Sequence, residues 1–250
     1  MKRLRSIVYA CFGVGLLAGC GGDQGISSSM PTSVAPQIPP SLAAPGVKKE
    51  VQTETVLHSF AGGSDGATPD AGLTNVNGVF YGTTNTGGPS NLGTVFSITM
   101  SGTESVLYSF AGGSDGAYPA AGLTNVGGVL YGTTAEGGAS NDGTVFKITT
   151  SGRERVLHSF KDGSDGAGPI AGLTNVKGVL YGTTHAGGAS NLGTVFKVTT
   201  SGTEHILYSF KGGSDGKWPY AGLTHLNGVL YGTTYEGGAS DAGTVFSLSL

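Results

Sequence analysis

Four aspartates, Asp65, Asp115, Asp165 and Asp215, recur every 50 residues, each inside a Gly-Ser-Asp-Gly tetrapeptide. A short carboxylate among glycines accepts N–H groups of its own turn, so an Asx-type turn is the expected use. Calcium fits less well, because it takes ~6–8 oxygens and each loop offers one carboxylate, one hydroxyl and its carbonyls. A second acidic column, Glu54, Glu104, Glu154 and Glu204, lies beside a tight turn on the opposite face and reads as solvated or locally paired. His58 and His158 alternate with Tyr108 and Tyr208 in one column, which reads as a packing position and not as a set of metal ligands. No Ser/His/Asp, Cys/His or HExxH arrangement occurs, and no glycine-rich loop opens a helix to cradle phosphate. The sequence therefore assigns no catalytic residue, no metal and no cofactor, and the chain is expected not to be an enzyme.

The columns that differ between copies carry more information about a ligand, since a shared scaffold leaves recognition to the side chains that break the repeat. Three of them flank the long loops: Thr68/Tyr118/Gly168/Trp218, Asp70/Ala120/Ile170/Tyr220 and Asn85/Ala135/His185/Tyr235; a fourth is Thr86/Glu136/Ala186/Glu236. Aromatic faces stack on sugars and carboxylates accept hydroxyls, so Tyr118, Trp218, Tyr220, Tyr235, His185, Glu136 and Glu236 form the candidate site for a glycan or peptide. Neutral variation on a solvated rim is the plainer reading of the same columns. A rival class is a carbohydrate hydrolase in which Glu136 and Glu236 face one another, since glycosidases place two carboxyl groups ~5–10 Å apart. Nothing in the sequence sets those two carboxyls apart as acid and base.

Positioning such columns requires the repeat itself. A 50-residue unit occurs four times, with about half of its columns identical in all copies, among them Ser64-Asp65-Gly66, Tyr81-Gly82-Thr83-Thr84 and Gly93-Thr94-Val95-Phe96. Each unit holds four strand candidates, in the first copy Ala71–Val76, Val79–Thr84, Thr94–Met100 and Ser105–Phe110. Asn77-Gly78 between two apolar runs signals a type I′ hairpin, and Ser101-Gly102 makes a second tight turn. Short turns alternate with long glycine-rich loops, so both long loops of a unit emerge on one side. Gly82, mid-strand, is expected to mark close approach between units. The pattern predicts an all-β, four-bladed β-propeller over 51–250, with a parallel β-helix well behind it.

The folded part opens with a lone outer-strand sequence, Thr53–Phe60, and reaches Leu250 on the third strand of the fourth copy. Pairing these pieces is expected to complete the last blade and close the ring, hiding two sheet edges in a monomer. A domain-swapped or face-paired oligomer is the alternative.

Ahead of the repeats, Lys2, Arg3 and Arg5 precede an apolar core over Ile7–Leu17 and then Leu17-Ala18-Gly19-Cys20. This resembles the lipobox of bacterial lipoproteins, which implies a signal peptide over 1–19 and lipidation of Cys20. Residues 21–50, rich in Ser, Pro, Ala and Gly, read as a flexible tether spanning ~30 Å. Cys11 falls in the signal, so no disulfide is expected in the exported domain. The expected location is the cell envelope, at the outer membrane or cell surface. A net charge of −3 without a basic cluster beyond the N-terminus gives no footprint for nucleic acid.

Leu107-Tyr108-Ser109-Phe110, Leu130-Tyr131-Gly132-Thr133-Thr134 and Gly143-Thr144-Val145-Phe146-Lys147-Ile148-Thr149 together resemble the GloVer tandem repeat of bacterial surface proteins. The resemblance covers 53–250 and implies an extracellular location; it carries over no catalytic residues.

Overall fold

The computed structural model describes residues 53–250; the expected signal peptide, Cys20 and the tether lie outside them. The repeats form antiparallel sheets in chain order. The first holds β1 (Thr74–Val76), β2 (Val79–Thr84), β3 (Thr94–Thr99) and β4 (Glu104–Ser109), each paired with the next. The second holds β5 (Thr124–Val126), β6 (Val129–Thr134), β7 (Thr144–Thr149) and β8 (Glu154–Ser159). In the third are β9 (Thr174–Val176), β10 (Val179–Thr184), β11 (Thr194–Thr199) and β12 (Glu204–Ser209). The fourth has three strands, β13 (Thr224–Leu226), β14 (Val229–Thr234) and β15 (Thr244–Ser249).

Local chemistry sets the hairpins. Asn77 and Gly78 both take positive φ, 53° and 85°, as a type I′ turn between Val76 and Val79 demands. Both faces of the second and third sheets are apolar because each is sandwiched between neighbours. Tyr81 and Val95 of the first sheet, with Phe110, pack on Leu123, Leu130, Phe146 and Ile148 of the second. The third sheet meets the second in the same way.

The inner strands are shorter than the sequence pattern suggests. Only Thr74–Val76 of the expected Ala71–Val76 pairs within its sheet. In the second to fourth repeats the residues just before the corresponding strand are claimed by the preceding repeat. Thr74 Oγ1 donates to the carbonyl of Leu123, and Thr83 Oγ1 to that of Ala121. The same two bonds recur from Thr124 to Leu173, Thr133 to Ala171, Thr174 to Leu223 and Thr183 to Ala221. Burying a threonine hydroxyl without a partner would be costly, and here each donor meets a carbonyl that has left its own ladder.

Gly132 and its equivalents play a different part from the one expected. A Cβ on Gly132 would stand 2.5 Å from the ring of Phe146 and 2.9 Å from Leu123, both in its own repeat. The glycine makes room for a phenylalanine of the adjacent strand in the same sheet, and not for the next repeat.

The expected closing strand is not formed. Residues 53–60 have no strand pairing, and the fourth sheet ends at β15. The segment instead lies against the first sheet. Phe60 meets Phe96 edge-on at 5.0 Å, as Phe110 meets Phe146 at 5.2 Å. Leu57 O sits 2.6 Å from where a Cβ would lie on Gly102, as Leu107 O does from Gly152. The segment therefore holds the place of a preceding outer strand without reaching β15. Val245 is consequently 81% exposed, whereas Val95, Val145 and Val195 are fully buried.

Candidate functional site

The variable columns meet in pairs through the backbone. Tyr235 N–H donates to the carbonyl of Trp218, His185 N–H to Gly168 and Ala135 N–H to Tyr118. Position 68 and its equivalents all adopt left-handed backbone, with φ of 60° at Thr68, 58° at Tyr118, 61° at Gly168 and 58° at Trp218. An aromatic residue held there is strained, and such strain persists only where the surroundings fix it. In the third repeat the pair has co-adapted. A Cβ on Gly168 would stand 2.2 Å from the imidazole of His185, whose Nδ1 lies 2.8 Å from the carbonyl of Gly168.

That imidazole opens an aromatic cluster at the junction of the third and fourth repeats. His185 stacks on Tyr220 with ring centroids 5.7 Å apart and 16° between planes, and Tyr220 meets Tyr235 edge-on at 5.4 Å. Tyr220 and Tyr235 are 45% and 65% exposed, so the cluster presents its rings to solvent. Trp218 lies beside it, its backbone N–H donating across the junction to the carbonyl of Leu192 and its ring covered by Lys217 Nζ at 5.0 Å. Lys217 also holds Glu236 at 3.0 Å and Asp241 at 3.2 Å.

Of the candidate residues, Trp218, Tyr220, Tyr235, His185 and Glu236 are thus brought to one junction. Tyr118 and Glu136 belong to the second repeat, where Tyr118 N–H bonds across to Leu92 and Glu136 is exposed. Glu236 is committed to Lys217, which gives it a different setting from Glu136.

A second group of residues was not legible as a site. Asp65 Oδ2 accepts the N–H of Ala61 at 2.6 Å, while Oδ1 lies 3.1 Å from His58 Nε2. Tyr108 donates its hydroxyl proton to Asp115 at 2.9 Å, and Tyr208 to Asp215 at 2.6 Å. His158 Nε2 lies 3.3 Å from Asp165. A glutamate of the next repeat completes three of these four groups. Glu104 joins His58 and Asp65, and Glu204 joins His158 and Asp165, with one donor atom from each residue within 4.8 Å of the others. Glu154 stands beside Tyr108 and Asp115.

Glu104, Glu154 and Glu204, unlike the exposed Glu54, are therefore not the solvated or locally paired turn residues expected. Oε1 of Glu104, Glu154 and Glu204 is buried and accepts no hydrogen bond. Burial, then the neighbouring aspartate, pushes the carboxyls of Glu154 and Glu204 up to about 7 and raises that of Glu104. Burial holds His158 below the ordinary imidazole value, against the pull of Asp165. The outer strand of one repeat crosses the β-turn of the next, as Leu107 does at Gly152, and so delivers the aspartate loop to the following glutamate. The available signal was the strict recurrence of glutamate in a turn whose neighbours vary.

Among solved structures, the described fold is similar to Bacteroides ovatus xyloglucan PUL GH43B, at 18% identity and TM-score 0.40, over 73% of this chain and 38% of that one. It is also similar to the native arabinanase of Bacillus subtilis, at 14% identity and TM-score 0.39, over 75% of this chain and 72% of that one. The chain spans well under half of the first of these. The expectation that the chain is not an enzyme is withdrawn. At these scores the likeness argues neither for nor against an activity here. No curated protein matches the sequence. The sequence pattern of the Gloeobacter/Verrucomicrobia repeat matches residues 47–246, and the chain belongs to that repeat family.

Proposed function

We propose that the protein is a lipid-anchored module of the cell envelope that binds a glycan or peptide through the aromatic cluster at the junction of the third and fourth repeats. The observation that carries this reading is the solvent-facing arrangement of His185, Tyr220 and Tyr235. Rigid aromatic faces offer contact area at little entropic cost, and the neighbouring Lys217, Glu236 and Asp241 supply polar partners for hydroxyls or amides. Screening the protein on glycan and peptide arrays tests it. Tyr235→Ala and Trp218→Ala are expected to weaken binding at least tenfold, and binding that survives both removes this site.

The anchor belongs to the same proposal. Cys20→Ser is expected to abolish palmitate labelling and release the protein from the membrane fraction. A mutant that still labels and stays in that fraction refutes the lipobox.

We propose further that the scaffold of this module is a four-bladed propeller, which segment 53–60 closes by moving onto the open edge of β15. Beside β15 runs a groove lined by Val195, Tyr208, Phe210, Asp215, Phe246 and Leu248. At the junction of the first two repeats the equivalent place holds β8, with Glu154 against Tyr108 and Asp115. Among the described residues no glutamate stands beside Tyr208 and Asp215 as Glu154 does beside Tyr108 and Asp115, and Glu54 is the member of that column carried by the segment. Seating the segment beside β15 brings Glu54 to Tyr208 and Asp215 and pairs the open edge.

A further inference from the structure

Two of the inter-repeat clusters differ from the others in donor chemistry. Where the column carries tyrosine, the hydroxyl gives its one proton to the aspartate. Where it carries histidine, an imidazole nitrogen and two carboxylates converge, once at His58, Asp65 and Glu104 and again at His158, Asp165 and Glu204. These are borderline and hard donors in a mixed set, the kind that suits first-row divalent ions such as Zn2+ or Co2+ better than Ca2+ or Mg2+. We infer that each His/Asp/Glu cluster is a binding site for one divalent transition-metal ion, which ties the outer strand of one repeat to that of the next.

Four features support this beyond the presence of acidic groups. The Oε1 atoms of Glu104 and Glu204 are buried without a donor, which an ion beside them would correct. Each aspartate is already oriented by a backbone N–H, Ala61 to Asp65 at 2.6 Å and Lys161 to Asp165 at 3.0 Å; the other oxygen of Asp65 faces its imidazole, and both oxygens of Asp165 lie 3.3 Å from theirs. Such outer-shell bonds fix a ligand's aim before the ion arrives. The geometry is near that required. Donors held at about 2.0–2.2 Å from one ion lie no more than about 4.4 Å apart. The clusters place their donors within 4.8 Å, a gap closed by small side-chain rotations. Water completes the coordination shell on the exposed side of each cluster. Finally, the set is assembled twice, 100 residues apart, from the same columns.

Titrating the purified, metal-free full chain with CoCl2, read by visible absorption, and with ZnCl2, read by calorimetry, tests the assignment. The expected result is two ions per chain. His58→Tyr and His158→Tyr each remove one, and the double variant removes both, while melting stays near the parent's because Tyr108 and Tyr208 occupy that column natively. Glu104→Gln and Glu204→Gln, which keep side-chain volume, are expected to abolish the same two sites should a tyrosine variant fold poorly. Absence of stoichiometric binding overturns the inference, as does binding indifferent to these substitutions, which would belong to other surface histidines such as His205 or His225.

Discussion

At the scale of single residues, the most consequential group in the tyrosine junctions is Glu154. It starts β8 with one oxygen buried and undonated, beside an aspartate whose charge it must share space with. Its carboxyl is pushed up from 4.5 to about 7, first by burial and then by Asp115. The folded chain therefore binds more protons than the unfolded one between these values, and stability falls as pH rises through that window and stays low above it. Glu154→Gln keeps the shape and cannot ionise. It is expected to match the parent near the acid end of the window and to exceed it above neutrality, by on the order of 1 kcal/mol once solvent screening of a partly exposed group is allowed for. Urea midpoints of parent and variant across this range check it. A parent whose advantage grows with pH would contradict the reading. The sequence showed the glutamate column but not its burial, because the contact is made with a residue some forty positions away in the preceding repeat, and local turn chemistry carries no trace of it.

At the scale of elements, the hairpins were legible and the junctions were not. Asn77-Gly78 and the run Val79–Thr84 come out where the pattern puts them, since positive φ and two apolar faces leave the chain few choices. The stretch before Thr74 escaped because Leu73 and Ala71 have counterparts, Leu123 and Ala121, that serve a neighbour's threonines instead of their own ladder. The aromatic columns were readable as candidates, and two of them do converge in His185, Tyr220 and Tyr235. Their grouping around one junction was not readable, because periodicity places columns on a face but does not say which repeat's loops lean together. The open edge of β15 belongs to this scale too. An unpaired strand with Val245 exposed invites other chains, and seating residues 53–60 there removes the invitation. Deleting 51–60 is expected to cause aggregation or loss of cooperative unfolding. A truncated protein that stays monomeric and melts as before would exclude closure by this segment.

At the scale of the whole molecule, stability in a repeat array is a sum over units and the interfaces between successive ones. The interfaces here are built from the same threonine bonds and phenylalanine contacts, with no disulfide within the repeats. They are nevertheless of two kinds, since His58 and His158 alternate with Tyr108 and Tyr208. The true unit of symmetry is therefore a pair of repeats, and a closed ring would have a dyad and not a tetrad along its axis. In a ring so closed, the histidine seams, one between segment 53–60 and the first repeat and one between the second and third, would face each other across the centre. Together they would mark a single diameter dividing the ring into two equal halves, each joined internally by tyrosine. Stress on such a ring, from chelation or from the load of a ligand gripped at one rim, would be relieved along that diameter first, and the two halves would part like the leaves of a locket.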